Sequence, residues 1–171
     1  MNETIKTILE RSSPMKFKPE HLPAEDVELI VKAGLKAPSA MNRQTPRFII
    51  VRNEELRNRL SKMNAAVLHA DTDPFYGAPD VVVVLGSKNG KPDQDGPIAV
   101  QNMLLAAYSL GYGGRWINRC KEMFESEEGK KILADVGIEE EMLGIACVIL
   151  GYPDEKMTPK SVIDGRVYIV E

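Results

Sequence analysis

Apolar residues recur at helical spacing in several stretches of the chain. Val27, Ile30, Val31 and Leu35 follow Pro23-Ala24-Glu25-Asp26, where a proline near the first helical position and two carboxylates in the first turn mark a helix start. Ile5, Ile8 and Leu9 form the apolar side of a short amphipathic helix over Thr4 to Glu10, which a loop from Arg11 to Pro19 follows. Asn53 is placed to cap a charged helix from Glu54 to Met63 that turns Leu56 and Leu60 inward, and Ser126 to cap one containing Ile132 and Leu133. Pro97 to Leu110 is apolar almost all round. That predicts a helix packed on most sides, whose Gln101 and Asn102 need partners.

Strand patterns are fewer and unevenly spaced. Val81 to Leu85 is apolar without alternation, as expected of a central strand buried on both faces. Phe48 to Val51 and Ile145 to Leu150 read as further core strands, and Val167 to Val170 as a strand added to a sheet edge. Gly86 to Asp95 reads as a loop, and Asn64 to Pro79 as a partly helical, mobile excursion able to cover a site. No glycine-rich turn joins the Val81 strand to a helix in the dinucleotide-binding pattern, so the class is α+β.

With 171 residues, one domain is expected. A net charge of -3 gives no reason to expect nucleic acid or an acidic membrane as partner, so any bound anion needs a local site. Cys120 and Cys147 have neither a close pairing nor a histidine cluster beside them, which argues against a disulfide framework or a zinc site. His21 and His69 show no spacing suited to a metal or a nucleophile triad. The N-terminal residues do not pair a basic segment with an apolar run, and no membrane-length apolar stretch occurs, so a cytoplasmic location is expected.

Three polar clusters and a loop carry candidate chemistry. Pro38-Ser39-Ala40-Met41-Asn42-Arg43-Gln44, between a helix and a strand, offers several donors and acceptors for a planar heteroaromatic ligand, or is a solvated turn. Arg11-Ser12-Ser13 joins a planar fork of donors to two hydroxyls, suiting a phosphate or a heterocycle, or simply ends a helix. Gly111 to Arg119 brings three glycines, the only tryptophan and the cations Arg115 and Arg119 together; it is either a close approach to a flat ligand or a capping turn with Trp116 in the core. Lys160 and Arg166 follow a proline-bearing loop near the end of the sequence.

The order and spacing of these pieces resemble the nitroreductase family of FMN enzymes, in its small single-domain branch. Besides the clusters, the match includes Phe17, Arg47 to Val51, Ala78-Pro79, Gln101-Asn102 with Leu104 to Ala107, and Gly151-Tyr152-Pro153. The resemblance implies an α+β domain over residues 1–171, with a mainly antiparallel central sheet flanked by helices. It also implies an interlocked homodimer in which a tail, 152–171, extends onto the partner. Arg11, Ser12 and Ser13 would hold the phosphate-ribityl and pyrimidine parts of FMN, with Met15 beside them. Pro38, Ser39, Ala40 and Asn42 would come from the other subunit. Gly113, Gly114, Trp116, Ile117 and Asn118 would lie along the isoalloxazine, and Lys160 and Arg166 would help neutralise the phosphate.

The implied reaction is ping-pong: NADH or NADPH passes hydride to flavin N5, and an electron-poor acceptor such as a nitroaromatic or quinone then removes it. No catalytic protein nucleophile is needed. Many relatives carry a basic residue two positions beyond the serine matched by Ser13, where this sequence has Met15. That difference bears on the electron donor and the rate, and leaves open a flavin-binding or small-ligand-binding module without turnover. A same-fold flavin enzyme of a different reaction, such as dehydrogenation or dehalogenation, is the other alternative.

Overall fold

The computed structural model describes residues 1–171. Helix α1 (Glu3–Glu10) leads to α2 (Ala24–Leu35), a short 3-10 turn at Ala40–Asn42 and strand β1 (Arg47–Val51). Helix α3 (Glu54–Leu68), strand β2 (Asp80–Ser87) and helix α4 (Pro92–Ser109) follow. Strand β3 (Gly113–Ile117), helices α5 (Cys120–Glu125) and α6 (Glu127–Asp135), and strand β4 (Met142–Gly151) complete the order.

The four strands form one sheet in the order β1-β2-β4-β3, every neighbouring pair antiparallel. Strand β2 lies centrally and is buried throughout, as its uninterrupted valines require. Its side chains alternate between two cores. Val81, Val83 and Leu85 pack with Cys147 and Ile149 under Leu60, Phe75, Met123 and Phe124. Val82 and Val84 pack with Ala146, Val148 and Leu150 against Leu22, Val27, Ile30, Val100 and Met103. The sheet is therefore the middle layer, with α3, α5 and α6 on one side and α2 and α4 on the other. The register slips between Val84 and Leu85, where Ile145 is the extra residue opposite them. This bulge sets Ile145 against Gly96 of α4, where a Cβ would come within 2.8 Å of it.

Local chemistry explains most boundaries. Asn53 accepts from Leu56 N–H at 2.8 Å and Ser126 from Gly129 N–H at 3.1 Å, so both expected caps form. Helix α3 runs on to Leu68, beyond the expected end at Met63, because Asn64-Ala65-Ala66 continues it until His69 ends it in the left-handed conformation. Helix α4 starts at Pro92 and not Pro97: Pro92 and the acidic Asp93 and Asp95 favour a helix start, and Pro97, early in the helix, costs one backbone bond. Strand β4 begins at Met142, ahead of the expected Ile145, because Met142 to Gly144 pair with Leu85 to Ser87.

Two expectations fail within the protomer. Val167 to Val170 form no strand; the segment is 80–97% exposed and pairs with neither sheet edge. Helix α4 is covered by α2, the sheet and a small contact with α1, leaving Ile98 and Leu110 exposed, although Asn102 finds its partner in Ala33 O at 3.2 Å. The apolar side of α1 is also uncovered, with Ile5, Ile8 and Leu9 between 45% and 59% exposed.

Candidate active site

Strand β3 pairs with β4 along the sheet edge, with Gly113 opposite Gly151 and Ile117 opposite Cys147. The glycine run is therefore strand and not merely a capping turn. Gly113 is required by the loop that follows α1, since a Cβ there would lie 2.7 Å from Pro14 and 2.9 Å from Phe17. Backbone bonds from Lys18 N–H to Tyr152 O and from Asp154 N–H to Lys16 O, both 2.9 Å, tie the same loop to the exit of β4.

That contact brings Arg11, Ser12, Ser13 and Met15 to the glycine edge. Arg11 donates through Nη1 to Ser13 Oγ at 3.0 Å and to Ser12 O at 3.1 Å. From the other side, Arg115 Nη1 donates to Ser13 O at 2.9 Å. Neither guanidinium has a carboxylate partner, and burial lowers Arg11 below its ordinary value. Ser12 Oγ is buried without a hydrogen-bond partner. A half-buried cation lacking its counter-charge beside an orphaned hydroxyl fits a phosphate-bearing ligand.

The rest of β3 contributes unequally. Gly114 is buried against Leu104, and the Ile117 side chain faces the core, so these two offer backbone more than side chain. Trp116 is half-buried against the α4 side of the sheet and donates through Nε1 to Asn118 Oδ1 at 3.3 Å. Asn118 is fixed through its carbonyl by buried Asn64 at 2.6 Å.

The Pro38 to Gln44 loop forms a separate cluster. Asp95 Oδ1 accepts from Ala40 N–H at 3.0 Å, while Ser39 Oγ accepts from Gln44 N–H at 2.9 Å and Asn42 Oδ1 from Gln44 Nε2 at 3.0 Å. Met41, Asn42 and Gln44 have φ of 53°, 54° and 51°. Three left-handed residues so close together are a strained conformation held by these bonds. Pro38, Ser39 and Asn42 line a cleft of about 730 Å³ with Phe48 and Asp95, and Asp95 Oδ2 is buried there without a partner.

The two clusters do not meet in one protomer. The loop sits on Asp95 near the start of α4, whereas β3 leaves its far end, where Tyr112 N–H bonds Ala107 O. Twelve helical residues between these points span roughly 18 Å. The clusters also lie towards opposite edges of the sheet, beside β1 and β3. Lys160 and Arg166 sit on the exposed tail, and the protomer forms no ion pair to either.

Residues 69–79 carry a network that the sequence did not reveal. Asp73 accepts from Arg57 Nη2 at 2.6 Å, Ser61 Oγ at 2.5 Å, and the Phe75 and Gly77 amides at 2.9 Å each. Arg57 also donates to Ala78 O at 2.9 Å. So pinned, the loop presents the Tyr76 ring to Arg115, 4.9 Å from guanidinium carbon to ring centroid. The only local signal is the Asp71-Thr72-Asp73-Pro74 turn composition; the side-chain donors Arg57 and Ser61 come from α3, 16 and 12 residues earlier.

Residues 8–83 match the family model described as Nitroreductase family. An Archaeoglobus fulgidus protein with the provisional description NADH dehydrogenase/NAD(P)H nitroreductase is 36% identical over 91% of this chain and 89% of its own length. A nitroreductase structure with bound FMN from Bacteroides fragilis NCTC 9343 superposes with TM-score 0.88 at 32% identity, covering 100% of both chains. Another with bound FMN, from Desulfitobacterium hafniense DCB-2, gives TM-score 0.90 at 30% identity, again over 100% of both. The chain belongs to the nitroreductase family, and its antiparallel sheet flanked by helices is the nitroreductase fold.

Proposed function

We propose that this protein is an FMN-dependent oxidoreductase using NADH or NADPH, and that it works as a homodimer with two shared flavin sites. The observation that carries the reading is the corner at Arg11, Ser12 and Ser13, where a half-buried cation without a counter-charge and an orphaned hydroxyl face the glycine edge of β3. Arg11 and the two serines would hold the phosphate-ribityl and pyrimidine parts of FMN, and Gly113 to Asn118 would offer backbone amides and the Trp116 surface to its ring system. Bound FMN supplies two-electron transfer between a nicotinamide and an electron-poor acceptor such as a nitroaromatic or quinone. The protein's part is to bind, orient and set the local charge.

The dimer is supported by what one protomer leaves unfinished. Pro38, Ser39, Ala40 and Asn42 make no hydrogen bond to the Arg11 corner within the protomer, and in this reading each site takes this loop from the second copy. The bare apolar residues of α1, Ile98 of α4 with Leu110 just beyond its end, and the exposed tail with Val167, Tyr168, Ile169 and Val170 supply surface for such an interlock. In this arrangement 152–171 reaches the partner, and Lys160 and Arg166 add charge to the phosphate end.

The test is the visible spectrum of purified protein with added FMN, before and after anaerobic NADH or NADPH. Retained flavin that bleaches with either nucleotide is the expected result. Retained flavin that stays oxidised with both would replace turnover by a binding role, and no retention would remove the flavin reading.

A further inference from the structure

We infer that Arg115, held in place by Tyr76, is a cofactor-facing residue that sets the reduction potential of the bound flavin; this rests on the FMN reading above. Two guanidiniums converge on one residue of the site: Arg11 on Ser13 Oγ and Arg115 on Ser13 O, at 3.0 and 2.9 Å. Arg11 reaches Ser13 from its own loop, but Arg115 belongs to β3, the strand whose Gly113 touches that loop at Pro14. Loop and strand thus form two walls of one electropositive corner. Arg115 is half-buried and lacks a carboxylate partner.

Its position is not left to chance. The Tyr76 ring lies under the guanidinium, and Tyr76 is itself held at φ 53° by the turn closed on Asp73. An aromatic face and a carbonyl fix the charge without neutralising it, whereas a carboxylate would have cancelled it. The side chain at position 15 adds no charge to this corner, since Met15 is neutral and 55% exposed. Glu155 accepts from the Met15 N–H, but it is exposed and so more strongly screened than Arg115.

A hydride taken from a nicotinamide carries two electrons and one proton to the flavin and leaves it with one added negative charge. A fixed cation stabilises that product over the neutral oxidised ring system and raises the potential.

The experiment compares unaltered protein with Arg115→Met, Arg115→Lys and Tyr76→Leu. For each, FMN affinity is read by fluorescence titration and midpoint potential by equilibration with reference dyes under nitrogen. Arg115→Met is expected to lower the preference for reduced over oxidised flavin about tenfold, a drop of about 30 mV for a two-electron couple. Arg115→Lys should fall between, keeping charge but losing the planar stack, and Tyr76→Leu should shift the potential in the same direction by less. A change under about threefold in Arg115→Met, with flavin still bound, overturns the assignment and leaves the FMN reading intact. If the unaltered protein binds no FMN, the broader reading fails first. Should Arg115→Met not fold, Tyr76→Leu decides by the sign of its shift: a fall in potential supports the assignment, and no fall overturns it.

Discussion

Replacing Asp73 by alanine removes the acceptor on which the 69–79 loop is built. Four donors end on this carboxylate, and the Arg57 side chain that supplies one of them is only 10% exposed. Arg57 keeps Ala78 O and Asn58 Oδ1 as acceptors, which limits the loss. Breaking a buried pair costs about 3–5 kcal/mol, but Asp73 is 35% exposed and water partly replaces it, so about 2–3 kcal/mol is expected. For a chain of this size that lowers the melting temperature by about 4–12 °C. Melting should be followed at fixed protein and FMN concentrations, because ligand and partner both stabilise by mass action.

The same residue predicts a pH dependence. Burial alone would raise the Asp73 carboxyl, but hydrogen bonds from Arg57, Ser61 and the Gly77 and Phe75 amides outweigh it and hold the group below its ordinary 3.8. The native value being the lower one, this stabilisation is complete above the unfolded value and is lost as pH falls through the native value. The stability gap between unaltered protein and Asp73→Ala should therefore narrow as pH drops below about 4. A gap under about 0.5 kcal/mol at pH 7, the level of an ordinary surface substitution, would refute the role given to this network.

Other outcomes follow from equally local features. Gly144→Ala would place a Cβ 2.1 Å from the Cys120 carbonyl oxygen, forcing β4 and α5 apart; denaturant unfolding should show a loss of about 2–3 kcal/mol. Truncation after Glu155 should convert dimer to monomer in sedimentation, and an unchanged coefficient would contradict the interlocked tail. Tyr112 donates to Asp26, and this bond, with burial, pushes its pKa up to about 12. Its contribution is complete below the unfolded value and lost as pH rises through the native one, so one tyrosine should ionise late in an alkaline absorbance titration.

The elements legible in the sequence were those whose cause is local. The β2 valines, the Asn53 and Ser126 caps and the Pro23 helix start each carry their reason within a few residues. The β3 strand did not, because Gly113-Gly114-Arg115-Trp116-Ile117 lacks alternation and becomes a strand only through pairing with Leu150 and its neighbours. Helix α4 starts inside the Gly86 to Asp95 segment whose composition suggests a loop, and Gly96 within the helix admits Ile145. In the site, Arg11-Ser12-Ser13 was visible as a cluster and Arg115 as a nearby cation. Their convergence on Ser13, and the Asp73 to Tyr76 support beneath it, depend on contacts 102 and 16 residues apart in sequence.

Whether each flavin site is built from two chains can be decided by complementation. Arg11→Ala and Asn42→Ala should each weaken FMN retention, the first about 10- to 100-fold as expected for a charge-assisted contact. The decisive sample is an equal mixture of the two variants, unfolded together and refolded. In a mixed dimer one site carries both substitutions and the other carries neither, so tight FMN binding should return at one site per mixed dimer. A mixture that binds no more tightly than its separate components would contradict the shared site.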